Sequence, residues 1–207
     1  MVKVAITGKA DKRIIAYPLM RACSIAGRTC VITDDAAYKR LYPGKENYGE
    51  IEEIKINILP GMDIDKINEI VERELEAETE YLIFISDSYY PLDSNRILML
   101  CEQNSTFLGT YIEDIISDID NVTFATLTLN PNKKILIPKG VKMHQICWKP
   151  NYSMYLFQVE ELRQLLPLKD KYISSLLVDT FSSSLNMNPT AFGALLKRKR
   201  YSFTKKN

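Results

Sequence analysis

A short polar loop near the N-terminus holds the residues of this chain that are best placed to do chemistry. The loop runs Gly8-Lys9-Ala10-Asp11-Lys12-Arg13, and three of its six residues are cations. It follows the apolar run Val2–Thr7, which predicts a buried strand, and precedes a helical pattern that stops at Gly27. Such a loop presents backbone N–H groups and the positive end of a helix dipole, so it binds phosphate readily. The predicted phosphate-binding residues are Gly8, Lys9, Lys12 and Arg13.

Three aspartates follow two further apolar runs of the chain. Asp34 and Asp35 come directly after Thr29–Thr33, and Asp87 comes shortly after Tyr81–Ile85. Ligands of open parallel sheets bind at the carboxyl ends of the strands. If these runs are strands beside the first one, the three carboxylates converge on the loop. There they would hold Mg²⁺ or position water beside a bound phosphate.

The same residues also have an ordinary structural interpretation. Gly8 suits a tight turn, and Asp11 suits the cap of the helix that follows. The pair Asp34-Asp35 is equally well placed to cap a short helix predicted over Ala36–Leu41. A turn with Gly, Asp and Lys between a strand and a helix is common in α/β domains. The residues alone leave both interpretations open.

The order of these segments resembles that of the Min-type and plasmid-partition ATPases, a P-loop class with a deviant Walker A motif. In that family a strand leads to a KGGxGKT loop, a helix, a Gly-Lys stop and a second strand that ends in Asp-x-Asp. Here VAIT leads to GKADKR, Gly27-Arg28 leads to CVIT with Asp34-Asp35, and YLIFIS-Asp87 resembles a later strand. The resemblance covers residues 1–90. It implies that Lys9 matches the signature lysine and Lys12 the Walker lysine, and that any cofactor is ATP or GTP with magnesium.

The loop departs from the family motif where a phosphate would bind. Ala10 and Asp11 replace glycines, and Arg13 replaces the hydroxyl residue that coordinates the metal. The Asp11 carboxylate would also repel a phosphate at close range. Our first hypothesis is therefore a non-catalytic interaction or regulatory protein on a P-loop-ATPase-like scaffold with a degenerate nucleotide site, working in a mobile-element, partition or cell-surface machinery. The alternative is a nucleotide-dependent ATPase or GTPase that binds phosphate with the loop over residues 8–13.

The C-terminal residues are strongly basic. Residues 197–206 contain six cations in ten, with Tyr201 and Phe203 among them. Such a segment would bind an anionic membrane surface, or nucleic-acid phosphates with Tyr201 stacked on a base. A solvated tail without a partner is the third interpretation. The residues assigned to this partner-binding or nucleic-acid-binding tail are Lys197, Arg198, Lys199, Arg200 and Tyr201.

Composition and segment order predict one α/β fold. The chain has 207 residues and a net charge of +1, which excludes a generally basic nucleic-acid coat and an acidic disordered protein. Apolar runs are too short for a membrane span or a secretory signal, so we expect a cytoplasmic protein. We predict a mostly parallel sheet with flanking helices, P-loop NTPase-like or Rossmann-like, with a helical C-terminal extension. The α/β nucleotide-binding-like domain covers 1–150, the helical extension of the same domain 151–196, and the basic tail 197–207.

Other features of the sequence are less informative. The four cysteines form no CxxC pair and His144 is the only histidine, so no zinc site is predicted. A protein partner and a homodimer are expected for this class of scaffold. Further predicted elements are strands over 51–59, 122–129, 134–137 and 145–148, and helices over 64–75, 93–101, 111–119, 157–166, 171–185 and 190–199.

Overall fold

The computed structural model of the chain describes residues 1–88, 91, 93–102, 121–129 and 143–198. Over these ranges the backbone forms strands, α-helices and one 3-10 segment, Ala36–Leu41. The strands are β1 (Val2–Thr7), β2 (Thr29–Thr33), β3 (Tyr48–Ile51), β4 (Ile54–Ile58), β5 (Tyr81–Ser86), β6 (Arg96–Glu102), β7 (Val122–Thr128) and β8 (Met143–Cys147). The helices are α1 (Arg13–Ala26), α2 (Ile64–Glu76), α3 (Pro150–Leu162), α4 (Lys171–Phe181) and α5 (Pro189–Lys197).

The strands form a single eight-stranded sheet in the order β3-β4-β2-β5-β1-β6-β7-β8. Its pairings are parallel except that of β3 with β4, which is antiparallel. Parallel strands need crossover connections, and α1 provides the one from β1 to β2 and α2 the one from β4 to β5. The predicted α/β fold with a mostly parallel sheet and flanking helices is confirmed.

Two hydrophobic clusters cover the two faces of the sheet. The first joins Ile6 to apolar side chains of α1, α3, α4 and α5, among them Ile15, Val159 and Phe181. The second joins Ala5 to the side chains of α2 that face the sheet, such as Ile67. Because successive side chains of a strand point to opposite faces, β1 contributes to both clusters. Strands buried on both faces have continuous apolar sequences, which explains why β1, β2 and β5 are predicted at the correct places.

One predicted helix is a strand. The sequence pattern predicts a helix over 93–101, whereas Arg96–Glu102 is β6 and pairs in parallel with β1 and β7. A short apolar run bounded by polar residues suits a buried strand as well as a buried helix, so periodicity does not separate the two. The polar residue Asn95 bonds to the backbone of Lys3 and leads into the sheet instead of capping a helix.

The predicted single strand over 51–59 is a hairpin, made of β3 and β4. The turn falls at Glu52 and Glu53, whose φ angles of 48° and 69° are both positive. A two-residue hairpin loop requires this left-handed backbone, and Asn or Gly is its usual sequence signal. With glutamates at both positions that signal is missing, so the sequence does not indicate the turn.

Helix boundaries and faces also differ from the prediction. Helix α3 begins at Pro150 instead of residue 157, because proline fits the first helical turn. It ends at Leu162, and the C-cap residue Arg163 has a left-handed backbone with φ 48°. In α2 the predicted apolar stripe is only partly buried, since Ile64 and Leu75 are exposed and Glu74 faces inward. The predicted helix over 111–119 and the strand over 134–137 lie outside the described residues.

Candidate functional site

The polar loop and the three aspartates lie together at one edge of the sheet. Strands β1, β5 and β2 are consecutive parallel neighbours, so the segments that follow them leave the sheet on the same side. A cavity of about 620 Å³ opens there. Its lining residues are Lys9, Ala10, Asp11, Lys12, Arg13, Asp34, Asp35, Ala36, Ala37, Pro60, Gly61 and Asp87. The structure therefore brings together the predicted site residues of the loop and of both later strands, although Gly8 is not part of the lining.

Gly8 is fixed by its contact with the neighbouring strand. Its φ is 106°, and a Cβ atom on it would lie 2.1 Å from the carbonyl oxygen of Leu100 in β6. The N–H of Ala10 donates to the same carbonyl at 3.4 Å. The loop therefore packs directly against the backbone of β6, and only a residue without a Cβ atom allows this close approach.

Lys12 is the most buried charged residue of the loop, with 3% of its side chain exposed. Its Nζ donates to the carbonyl oxygens of Gly8 at 2.8 Å and Ala10 at 3.3 Å, and to Oδ1 of Asp87 at 2.6 Å. An ammonium group has three N–H donors, and these three acceptors use all of them. In this arrangement Lys12 has no donor left for a phosphate.

Asp11 lies just before helix α1, whose N-cap residue is Lys12. Its Oδ1 accepts hydrogen bonds from the backbone N–H of Arg13 at 3.1 Å and from Nε of Arg13 at 3.0 Å. Nη2 of Arg13 donates to the other carboxylate oxygen at 2.7 Å. Burial would raise the pKa of Asp11, but the hydrogen bonds and charge of Arg13 outweigh burial and hold that pKa below its ordinary value. A carboxylate of the protein therefore lies where an anion would meet the helix N-terminus.

Glu160 of α3 completes this ion-pair network. It accepts hydrogen bonds from Nη1 of Arg13 at 2.6 Å, from the hydroxyl of Tyr17 at 3.2 Å and from Nη1 of Arg40 at 3.1 Å. Burial, together with the Glu160 charge, raises the pKa of Tyr17 well above its ordinary value. Glu160 lies 147 residues from Arg13 in the chain, and no local motif marks it. The sequence therefore does not reveal this residue.

The two aspartates that follow β2 accept hydrogen bonds from neighbouring residues. Oδ2 of Asp34 accepts a hydrogen bond from the Ser86 hydroxyl at 2.5 Å and one from the N–H of Asp87 at 3.4 Å. Oδ1 of Asp35 accepts from the N–H of Ala37 at 2.8 Å, so Asp35 caps the 3-10 segment. The capping interpretation of Asp35 is confirmed. Ser86 is a polar residue of this edge that the sequence pattern does not single out.

The charges around the cavity do not favour a polyphosphate. Three cations line it, together with four carboxylates, which gives a formal charge of −1. A nucleoside triphosphate would bring several more negative charges and would find Lys12 saturated and Asp11 at the helix N-terminus. No hydroxyl residue follows Lys12 to coordinate magnesium. Among the described residues, no three or more His, Cys, Asp or Glu side chains are grouped so as to hold a metal ion.

The described part of the basic tail begins at the end of helix α5. Lys197 is the last residue of that helix and Arg198 follows it, both of them exposed. The buried guanidinium of Arg21 donates to the carbonyl of Leu195 at 2.8 Å, which anchors the last turn of α5. The predicted tail residues Lys199, Arg200 and Tyr201 lie outside the described residues. Across the ranges that the structure describes, every helix is too short or too polar to cross a membrane.

Comparison with known proteins identifies a class of fold. Neither a protein-family model nor a curated protein matches the sequence. The structure is similar to that of the MinD cell division protein of Aquifex aeolicus, with a TM-score of 0.52 and 12% sequence identity. The aligned region covers 97% of this chain and 99% of that chain. At this identity the similarity shows the fold alone, an α/β fold with a mostly parallel sheet like that of the MinD structure.

Proposed function

We propose that this chain is a non-catalytic interaction or regulatory protein on a P-loop-ATPase-like scaffold, with a degenerate nucleotide site. The observation that carries the proposal is the saturated ammonium of Lys12. A lysine that binds phosphate must direct its N–H donors at phosphate oxygens. Here the three donors are bonded to Gly8, Ala10 and Asp87. A ligand would have to displace Asp87 or a backbone carbonyl from Lys12 before it gained one hydrogen bond.

The other features of the loop support the same conclusion. Gly8 is needed for the close packing of the loop against β6, and its backbone is therefore not available to wrap around a phosphate. Arg13 is engaged by Asp11 and Glu160 and is not directed at an external anion. Each of these residues therefore stabilises the loop in its present shape. A loop fixed by internal contacts in this way suits a protein that binds its partners through its surface.

We propose that the surface acts through a protein partner, in a mobile-element, partition or cell-surface machinery. A homodimer is the simplest assembly for such a scaffold. The exposed cations Lys197 and Arg198, with Lys199, Arg200 and Tyr201 after them, offer nucleic acid or an anionic membrane surface a place to bind. A cytoplasmic location stays a prediction from the sequence.

A nucleotide-dependent ATPase or GTPase is the second candidate. The position of the loop favours it, because the loop and three aspartates share the carboxyl edge of neighbouring parallel strands. In this alternative the loop over residues 8–13 binds phosphate after its internal contacts have been broken. The two candidates make opposite predictions for nucleotide affinity.

Equilibrium binding of labelled ATP and GTP in the presence of magnesium tests the proposal. We expect no binding at millimolar nucleotide for the wild type. Lys12→Ala removes the candidate Walker lysine, and Lys66→Ala is the matched control because this exposed lysine of α2 is not among the residues that line the cavity. Micromolar binding that is lost in Lys12→Ala and kept in Lys66→Ala would overturn the proposal in favour of the enzyme.

A further inference from the structure

The two partners of the Lys12–Asp87 ion pair differ sharply in burial. Only 3% of the Lys12 side chain is exposed, against 62% of the Asp87 side chain. The ammonium also donates hydrogen bonds to the backbone carbonyl oxygens of Gly8 and Ala10, whereas Asp87 is an exposed side chain of the cavity lining. Asp87 is therefore the partner that solvent and ions can replace. Two backbone acceptors remain to keep the ammonium in place without it.

We propose that Asp87 is an internal anion, occupying the position at Lys12 that an external oxyanion of the phosphate class would otherwise take. This inference rests on the proposed function, since it explains how the degenerate site is kept closed. Removing the Asp87 carboxylate frees one N–H donor of Lys12 on the cavity side. It also changes the formal charge of the cavity lining from −1 to neutral, which lowers the repulsion that an incoming anion meets.

The remainder of the cavity suits a small oxyanion once Asp87 is removed. Lys9 and Arg13 line it beside Lys12 and add positive charge, while Arg13 stays bonded to Asp11 and Glu160. The volume of about 620 Å³ is much larger than a diphosphate. Asp11 stays bonded to Arg13, so the gain depends chiefly on Lys12. Inorganic pyrophosphate is the suitable probe because it carries the phosphate charge without a base or sugar.

The experiment compares pyrophosphate binding by the wild type, Asp87→Ala, Asp87→Asn and the double variant Asp87→Ala/Lys12→Met. Asp65→Asn is the matched control, because this exposed aspartate of α2 is not among the residues that line the cavity. Calorimetry gives the affinity, and the rise of Tm with pyrophosphate gives an independent measure for a destabilised variant. We expect Asp87→Ala to bind at least about tenfold more tightly than the wild type. We expect the gain to vanish in the double variant and to be absent in Asp65→Asn.

Three results would overturn the inference. The first is an affinity of both Asp87 variants equal to that of the wild type, and the second is a gain that survives Lys12→Met. The third is unfolding of both Asp87 variants, because the inference requires the two backbone carbonyls to hold the ammonium without Asp87. A different result would overturn the proposed function. That result is micromolar ATP binding by the wild-type protein, and it does not depend on how the Asp87 variants behave.

Discussion

Nζ of Lys12 lies 2.6 Å from Oδ1 of Asp87, although the two residues are 75 positions apart in the chain. Lys12 stands at the start of α1 and Asp87 directly after β5, the parallel neighbour of β1. The ion pair therefore joins the N-terminal loop to the end of β5 in the lining of the cavity at the carboxyl edge of the sheet. It converts a position that suits an anion into a contact between two parts of the same chain, and the predictions below follow from that arrangement.

The first prediction concerns the contribution of the Lys12 ammonium to stability. Lys12→Met keeps the buried stem of the side chain and removes three hydrogen bonds from a charged donor. We expect the free energy of unfolding to fall by about 1–3 kcal/mol. Lys9→Met, at an exposed position of the same loop, should cost less than about 0.5 kcal/mol. Urea denaturation measures both values, and equal losses would contradict the role assigned to Lys12.

The second prediction concerns Gly8. A methyl group on Gly8 would meet the Leu100 carbonyl at 2.1 Å and would sit on a backbone with φ 106°, so Gly8→Ala should cost more than about 3 kcal/mol. Gly44 has a similar φ of 118° but nothing within 4 Å of the added carbon. Gly44→Ala therefore isolates the backbone strain and should cost about 1 kcal/mol. Comparable thermal stability of the two variants would show that the loop does not lie on β6.

The third prediction separates two ion pairs that share Glu160. Arg13 and Glu160 are 19% and 11% exposed, whereas Arg40 is 63% exposed. Solvent therefore screens the Arg40–Glu160 pair more strongly than the Arg13–Glu160 pair. A double-mutant cycle should give about 1–3 kcal/mol of coupling between Arg13 and Glu160. The cycle for Arg40 with Glu160 should give less than about 1 kcal/mol. The substitutions are Arg13→Met, Arg40→Met and Glu160→Gln, and a larger coupling for Arg40 would contradict the described network.

The fourth prediction is the acid dependence of stability that Asp11 causes. The folded protein holds the pKa of Asp11 below the ordinary value of 3.8, so the native state binds this proton more weakly than the unfolded state. The resulting stabilisation is present above that ordinary value and is lost as the pH falls through the lower folded-state pKa. Asp11→Asn should be less stable than the wild type at neutral pH, with a gap that narrows below pH 3.8. Chemical denaturation at a series of pH values measures the difference in free energy of unfolding between the two proteins. A difference that stays constant from neutral pH to below pH 3.8 would show that the Asp11 carboxylate does not cause the acid dependence.

The fifth prediction concerns the basic tail. Helix α5 ends at Lys197 and is anchored through Arg21, so truncation after Arg198 should leave Tm unchanged. The truncation removes four cations and, if the tail holds nucleic acid, should weaken DNA binding and reduce its dependence on salt concentration. Titration of labelled duplex DNA at several salt concentrations measures the slope. Identical affinity and slope for the truncated and full-length chains would refute a nucleic-acid role for residues 199–207.

Much of the sheet edge can be predicted because its strands are buried on both faces. Their continuous apolar sequences mark β1, β2 and β5, and the polar residues after each run mark the carboxyl edge. The convergence of Asp34 and Asp87 on the loop then depends on strand order. That order places β5 between β1 and β2, and it is set by packing across the sheet, which no local pattern records.

The contacts that close the site are less accessible from sequence. Glu160 reaches Arg13 from a helix 147 positions away, and its neighbours in the chain resemble those of any exposed helical glutamate. The saturation of Lys12 depends on two carbonyl oxygens whose direction follows from the contact of Gly8 with β6. Long-range packing decides both features. The sequence therefore predicts the location of the site and the types of residue in it, but not which partners these residues choose.

A crystal structure of the wild-type protein grown with millimolar ATP and magnesium tests the central claim most directly. The account predicts that Nζ of Lys12 remains bonded to Gly8, Ala10 and Asp87, with no polyphosphate density beside the loop over residues 8–13. Density for a nucleotide in the cavity, with the Lys12 ammonium turned from Asp87 onto phosphate oxygens, would contradict it.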